Sequence, residues 1–326
     1  MKFRPFYLLG LAMAAALALP SCMDRKPSVS ATLYCDDSFR NIIQQEIDIF
    51  EYRLQNNHIL PTYTSQKEAI EALFAKEAQI IVIGRDLTPD EKKRLENMNL
   101  KPRSQKIAVD AVALIVNEEN PVDRLSMKEI SAILTGETQR WEDVQPDGMN
   151  RRINVILDNE GSSLAYFMQD SFLNGKKFGP NVSVAGSVDS VLASVKKDPA
   201  NIGVIGVTWL TADLDLKSGQ ELSDELKNDT TAVNGLALNE AMDNAGVKTI
   251  GVMRDMAVPY RPYQQNIYDG TYPLTRPIYM VTTSTAGVPS RFYAFVGGVD
   301  GQRLIMRTGV LPARVPIDIY EIKTAE

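Results

Sequence analysis

Four short polar loops in this chain stand at the starts of helical patterns, and each offers hydrogen-bond donors. Ser38 precedes one helical pattern, Thr64 and Ser65 precede a second, Gly84 and Arg85 follow the apolar run 79–83, and Gly161-Ser162-Ser163 open another helix. Asp110 begins a long apolar run over 110–117. The chemistry these residues suit is capture of a small anion. A dehydrated oxyanion needs donors converging from several directions, and backbone N–H groups at helix starts supply them with partial positive charge. Ser and Thr hydroxyls add neutral donors, and one Arg adds a two-pronged charged contact. A carboxylate such as Asp110 can only accept, so beside a bound oxyanion it favours one that still carries a proton. The same serines suit plain helix caps equally well. Asp110 equally suits a structural strand end or a charge partner for Arg85.

The elements that must position these loops alternate along the chain. Strand patterns fall at 31–35, 58–62, 79–83, 108–117, 153–157 and 201–207. Helical spacing follows Ser38 through Ile42, Ile43, Ile47 and Phe50, and recurs over 65–75, from about Thr88, over 127–135, from 161 through Phe167 and Phe172, and over 188–197. Strand, loop and helix in alternation predict an α/β fold with a mostly parallel sheet. Near the C-terminus, Tyr272-Pro273-Leu274 and Arg276-Pro277 make a proline-punctuated turn feeding a strand at 278–282. One amphipathic helix carrying Phe292, Phe295, Leu304 and Ile305 is expected to run up to Gly309. Residues 211–246 read as polar surface helix and loop, and Trp141 as part of a polar loop.

Composition sets the class. The chain has 326 residues, 44% hydrophobic and 23% charged, with a formal net charge of −6. That is a soluble globular composition with enough apolar residues for a sizeable core, and its acidity argues against nucleic acid. Any anion site must therefore be a local arrangement rather than a basic face. Lys2 and Arg4 precede an apolar run over 6–19 that ends in Leu19-Pro20-Ser21-Cys22. This is the pattern of a secretory signal, too short for a comfortable membrane span. The Leu-Pro-Ser-Cys ending resembles a bacterial lipobox, which implies cleavage before Cys22 and its acylation. With Cys22 lipidated, Cys35 is left without an intrachain partner and reads as an ordinary buried thiol.

Taken in order, several segments resemble the phosphate-binding, PstS-like solute receptors of ABC importers. Asp110-Ala111-Val112-Ala113-Leu114-Ile115-Val116-Asn117 is similar to that family's crossing strand, and Asn120-Pro121-Val122 continues it. Leu125-Ser126, Ile130, Ile133, Leu134, Gly136 and Trp141 match the helix-glycine-tryptophan segment. Ile202-Gly203-Val204-Ile205-Gly206-Val207, Gly301-Gln302 and Gly309-Val310-Leu311-Pro312 match later motifs. The resemblance implies a two-lobed periplasmic-binding-protein fold of the class II type, with two hinge-crossing strands. On this chain it implies a signal peptide at 1–21 and a tether at 22–29. Lobe one would comprise 30–109 and 278–326, and lobe two 110–277. The site residues implied are Ser38, Thr64, Ser65, Arg85, Asp110, Gly161, Ser162 and Ser163, around phosphate or a similar oxyanion. Also implied are a monomer held to the membrane through Cys22 on the extracytoplasmic side, and partnership with an ABC permease and its ATPase.

The chain departs from the family at the loops themselves. The family's arginine four residues before the fourth loop, Gly161-Ser162-Ser163, is Leu157 here, followed by Asp158. Cys35-Asp36-Asp37-Ser38 carries two carboxylates where the family has small residues, and these would repel a dianion unless they face solvent. Arg40, Arg151 and Arg152 are available to compensate. These departures leave open a divergent lipoprotein of the same fold that acts as a sensor or interaction module for another ligand. Catalysis is not expected. The single histidine, His58, stands in a polar segment with no nucleophile-elbow pattern, and neither a metal nor another cofactor is implied.

Overall fold

The computed structural model describes residues 29–146, 148–210, 246–254 and 258–314. The predicted signal, Cys22 and the tether up to residue 28, and nearly all of 211–246, lie outside the described residues. One strand organises the molecule. β4 (Arg103–Asn117) is 15 residues long. Its first part pairs antiparallel with β11 (Thr275–Thr282), and its last part with β8 (Asn201–Gly206) and β9 (Val247–Thr249). Residues 111–116 are buried without alternation, as in a strand covered on both faces.

Two groups of parallel strands flank this crossing. On one side β1 (Val29–Asp36) pairs in parallel with β2 (Asn57–Thr64) and β3 (Ile80–Ile83), and β3 lies antiparallel to β11. On the other side β8 pairs in parallel with β6 (Asn154–Leu157), and β6 with β7 (Val182–Val184). The sheet order is β2-β1-β3-β11-β4-β8-β6-β7. Because β3 and β4 share a direction and β8 opposes it, the carboxyl ends of the two parallel groups point at each other. Asp36, Thr64, Ile83, Leu157 and Gly206 are the last residues of their strands and stand at this meeting line. Carboxyl ends of strands are where α/β sheets place ligand sites.

Helix starts are fixed by local chemistry. Ser65 caps α2 (Gln66–Phe74), Thr88 caps α3 (Pro89–Asn97) and Ser126 caps α4 (Met127–Thr135), each in a reciprocal box with the glutamate three residues on. α1 (Arg40–Arg53) buries Ile42, Ile43, Ile47 and Phe50, the stripe its spacing predicts. The helix after Gly161 begins as α5 (Ser163–Tyr166) and runs on as a π-turn (Phe167–Phe172). α6 (Val188–Lys197) follows, and a short α7 (Gln264–Tyr268) precedes β11.

Several expectations need correction. The C-terminal helix is two helices, α8 (Gly287–Val296) and α9 (Val299–Arg307), broken at Gly297 and Gly298. A Cβ on Gly297 would lie 2.4 Å from the Gln105 side-chain oxygen, and one on Gly301 would lie 2.6 Å from the Phe295 carbonyl, so the two helices and β4 close on glycine. Trp141 stands in a short 3-10 turn but is fully buried, its indole N–H donating to the Ala200 carbonyl at 2.9 Å. β1 begins at Val29, inside the expected tether, and β4 begins at Arg103, earlier than predicted. Cys35 is fully buried, and burial pushes its thiol pKa up, as suits an inert core thiol.

Candidate anion site at the meeting of the strand ends

β1 ends on Asp36, and its carboxylate does not face solvent: the residue is 0% exposed. Asp36 Oδ1 accepts from the Ser38 amide at 3.1 Å and from the Ser163 hydroxyl at 2.8 Å. Oδ2 accepts from the Gln66 amide at 2.8 Å and from the Ser163 amide at 2.8 Å. Gln66 is the first residue of α2 and Ser163 the first of α5, so both amides belong to the unpaired donors of a helix start. One buried carboxylate thus collects four donors from three separate segments.

A cation stands behind these donors. Arg276 Nη1 donates to the Ser163 hydroxyl at 2.9 Å, and that hydroxyl donates onward to Asp36. The guanidinium is paired with Asp110, Nε at 3.0 Å and Nη2 at 2.9 Å from Oδ2, and both side chains are 0% exposed. Its far side lies over the Phe39 ring, 4.6 Å from the centroid. Gly206 is what lets this pair pack against β8, because a Cβ there would come within 2.9 Å of Asp110 Oδ2. Burial pushes the Asp110 carboxyl up, and Arg276 pulls it back.

A third acid completes the cluster. Asp158 is buried and accepts from the Ser38 hydroxyl at 3.1 Å and the Ser162 hydroxyl at 2.7 Å. Burial, and then the charge of Asp36, push its carboxyl up. The two strand groups also meet directly. The Lys67 amide donates to the Gly161 carbonyl at 3.4 Å, and the Trp209 indole donates to the Ser38 carbonyl at 3.2 Å. A Cβ on Gly84 would lie 2.6 Å from the Ser163 Cβ, so a glycine is needed at this approach.

The sequence-predicted residues divide into two sets. Ser38, Asp110, Ser162 and Ser163 come together here, with Gly161 and Gly84 at the edge. Gly161 has φ +78° and supplies the turn into the helix. Thr64 and Ser65 reach the Glu68 carboxylate with their hydroxyls, and Ser65 is held as the α2 cap. Arg85 is engaged locally: its guanidinium grips Glu91 bidentately at 2.8 Å and 2.8 Å. The charge partner of Asp110 is therefore Arg276, not Arg85. Arg40 pairs with the neighbouring Asp37, and Arg151 with Asp198. Asp36, Gln66, Asp158 and Arg276 are members that the motif reading left out. Alternation in β11 carries the signal for Arg276, because Arg276, Ile278 and Met280 share the buried face. Among the described residues no group of three or more His, Cys, Asp or Glu could hold a metal, and no helix is long and apolar enough to cross a membrane.

Comparison with known proteins fits this architecture. A family model described as the PBP superfamily domain matches residues 26–297. The phosphate-binding protein PstS of Staphylococcus aureus (strain USA300) is 25% identical over 217 residues, covering 65% of this chain and 57% of that protein. The chain thus spans little more than half the length of such relatives. Among solved structures, an ABC-type phosphate transport receptor from Vibrio cholerae superposes with a TM-score of 0.61 at 19% identity, covering 86% of this chain and 99% of that one. A phosphate-binding protein from Stenotrophomonas maltophilia superposes at 0.56 and 13% identity, covering 88% and 91%. These likenesses show the two-lobed α/β fold.

Proposed function

The chain belongs to the PBP superfamily, and we propose that within it this protein is a solute receptor that takes phosphate or a related small oxyanion between its lobes. Lobe one is assigned to 30–109 with 278–326 and lobe two to 110–277, with β4 and β11 as the crossing strands. The observation that carries the reading is the convergence of the Gln66 and Ser163 amides and the Ser163 hydroxyl, backed by Arg276, on one oxygen-bearing group. Such donors, fixed in place and shielded from water, are what an oxyanion needs in exchange for its hydration shell. The named relatives that bind phosphate support that choice of ligand.

The local charge narrows the class further. Asp36, Asp110 and Asp158 touch this site against the single guanidinium of Arg276. Acceptor-only groups in such numbers favour an anion that carries a proton, as phosphate does near neutral pH and sulfate does not. In this reading the protein is a noncovalent binder without cofactor, a monomer anchored through Cys22 outside the cytoplasm, and its partners are an ABC permease and ATPase. Cys22→Ala should leave unprocessed precursor, and normal processing would contradict the anchor. A second reading, a sensor or interaction module on the same fold, is favoured by one observation: Asp36 itself satisfies the donors.

Thermal-shift titrations of the protein with phosphate, arsenate and sulfate test the receptor reading. A ligand at a hundred times its Kd adds about 2.7 kcal/mol to folding stability. A shift with phosphate larger than with sulfate supports it. No shift with any oxyanion, together with one for an uncharged solute, removes it. Turnover of generic phosphoesters would point instead to an enzyme.

A further inference from the structure

The carboxylate of Asp36 stands where the proposed ligand would. Its two oxygens take four donors, and three of those come from residues 30 and 127 positions away in the chain. The remaining one, the Ser38 amide, is a local turn contact. The adjacent Asp37 shows the alternative open to such a side chain, since it turns outward to Arg40. Two of the bonds to Asp36 run from lobe two, so this side chain of lobe one ties the lobes together at the line where their strand ends meet.

We infer that Asp36 is the residue that sets what this site accepts: its carboxylate is a tethered ligand that closes the lobes on itself, and a free oxyanion binds only by displacing it. This rests on the receptor reading only for the identity of the competitor. Charge makes the two occupants exclusive. With Asp36 in place, three buried carboxylates already face one guanidinium, and a further anion would sit against them at short range in a shielded site. Exchange of Asp36 for a free monoanion leaves the charge count unchanged. The neighbouring surface is acidic too. A groove of about 930 Å³ beside Ser65 and Gly161 is lined by Glu68, Glu71, Glu160 and Asp170 against Lys67. The class of group that suits the site as built is therefore a single carboxylate, which Asp36 supplies from within the chain.

Small-angle X-ray scattering on the full chain in chloride buffer, with and without added anion, tests this. The wild type should be compact without any oxyanion, and Asp36→Gly should have a larger radius of gyration. Formate, a free carboxylate, should return Asp36→Gly to the wild-type value. Asp36→Asn, which keeps the side-chain volume, should expand as Asp36→Gly does but should not answer to formate. Phosphate should bind Asp36→Gly at least tenfold more tightly than wild type by calorimetry. A wild type that is expanded until phosphate is added overturns the inference. So does an Asp36→Gly protein as compact as wild type without formate, or a wild type that binds phosphate as tightly as Asp36→Gly does. If Asp36→Gly opens and closes with formate while neither protein binds phosphate, arsenate or sulfate, Asp36 stands as the tethered occupant and the receptor reading fails.

Discussion

Replacing Arg276 by methionine tests the electrostatic centre of the molecule. Both Arg276 and Asp110 are 0% exposed and 2.9 Å apart, so solvent does not screen the charge that is left behind. Removing one partner of a fully buried pair costs about 3–5 kcal/mol, because the survivor is desolvated without compensation. The Ser163 hydroxyl also loses its donor from Arg276. With a urea slope of about 3 kcal/mol/M, this is a fall of about 1–2 M in the unfolding midpoint. Asp110→Asn alone should also destabilise. The double variant Arg276→Met/Asp110→Asn should recover much of the loss, since no unpaired charge remains. Urea unfolding of the four proteins followed by circular dichroism gives the full cycle. A midpoint within about 0.3 M of wild type for Arg276→Met, or strictly additive losses in the double variant, would refute the assignment of a buried ion pair at the crossing strands.

Three other perturbations follow from neighbouring features. Gly84→Ala puts a methyl group against Ser163 Cβ; overpacking of this kind costs about 1–3 kcal/mol, and it should lower the melting temperature and enlarge the particle in scattering. An unchanged particle would show that the lobes do not meet there. Ser163→Ala removes the hydroxyl that links Arg276 to Asp36 and should destabilise by about 1–3 kcal/mol, whereas a neutral result would take that hydroxyl out of the site. Glu46 is fully buried, both its oxygens lack a hydrogen bond, and burial followed by Asp300 pushes its carboxyl well above the ordinary range. The folded state then holds a proton that the unfolded state releases, so stability falls as pH rises from the ordinary carboxylate range through the folded value. Glu46→Gln should flatten that fall and raise the melting temperature at pH 8; an unaltered pH profile would contradict a buried acid.

Much of the fold was legible because the signals were local. Continuous apolar runs marked β3 and β4, and helical spacing marked α2, α3 and α4. The break between α8 and α9 was not, since its cause lies in how closely the two helices and β4 approach one another. At the site, loops at strand ends could be ranked as donors, but not assigned to partners. Arg85 was the natural choice because it follows a buried strand, yet Glu91, six residues on, takes it locally. Arg276 sits in a proline-flanked strand, and only its position on the buried face distinguishes it from a surface charge. Gln66 contributes a backbone amide, which no side-chain type announces. The two acids at 36 and 37 look alike in sequence; the turn that sends Asp36 inward and Asp37 toward Arg40 is a property of the fold.

The arrangement of donors can be tested directly by a crystal structure of Asp36→Gly grown with phosphate. The expected result is a phosphate between the lobes, with oxygens within hydrogen-bond reach of the Gln66 amide, the Ser163 amide and the Ser163 hydroxyl, and Arg276 still paired with Asp110. Lobes in contact with phosphate bound elsewhere, or donors that point away from any common centre, would contradict it.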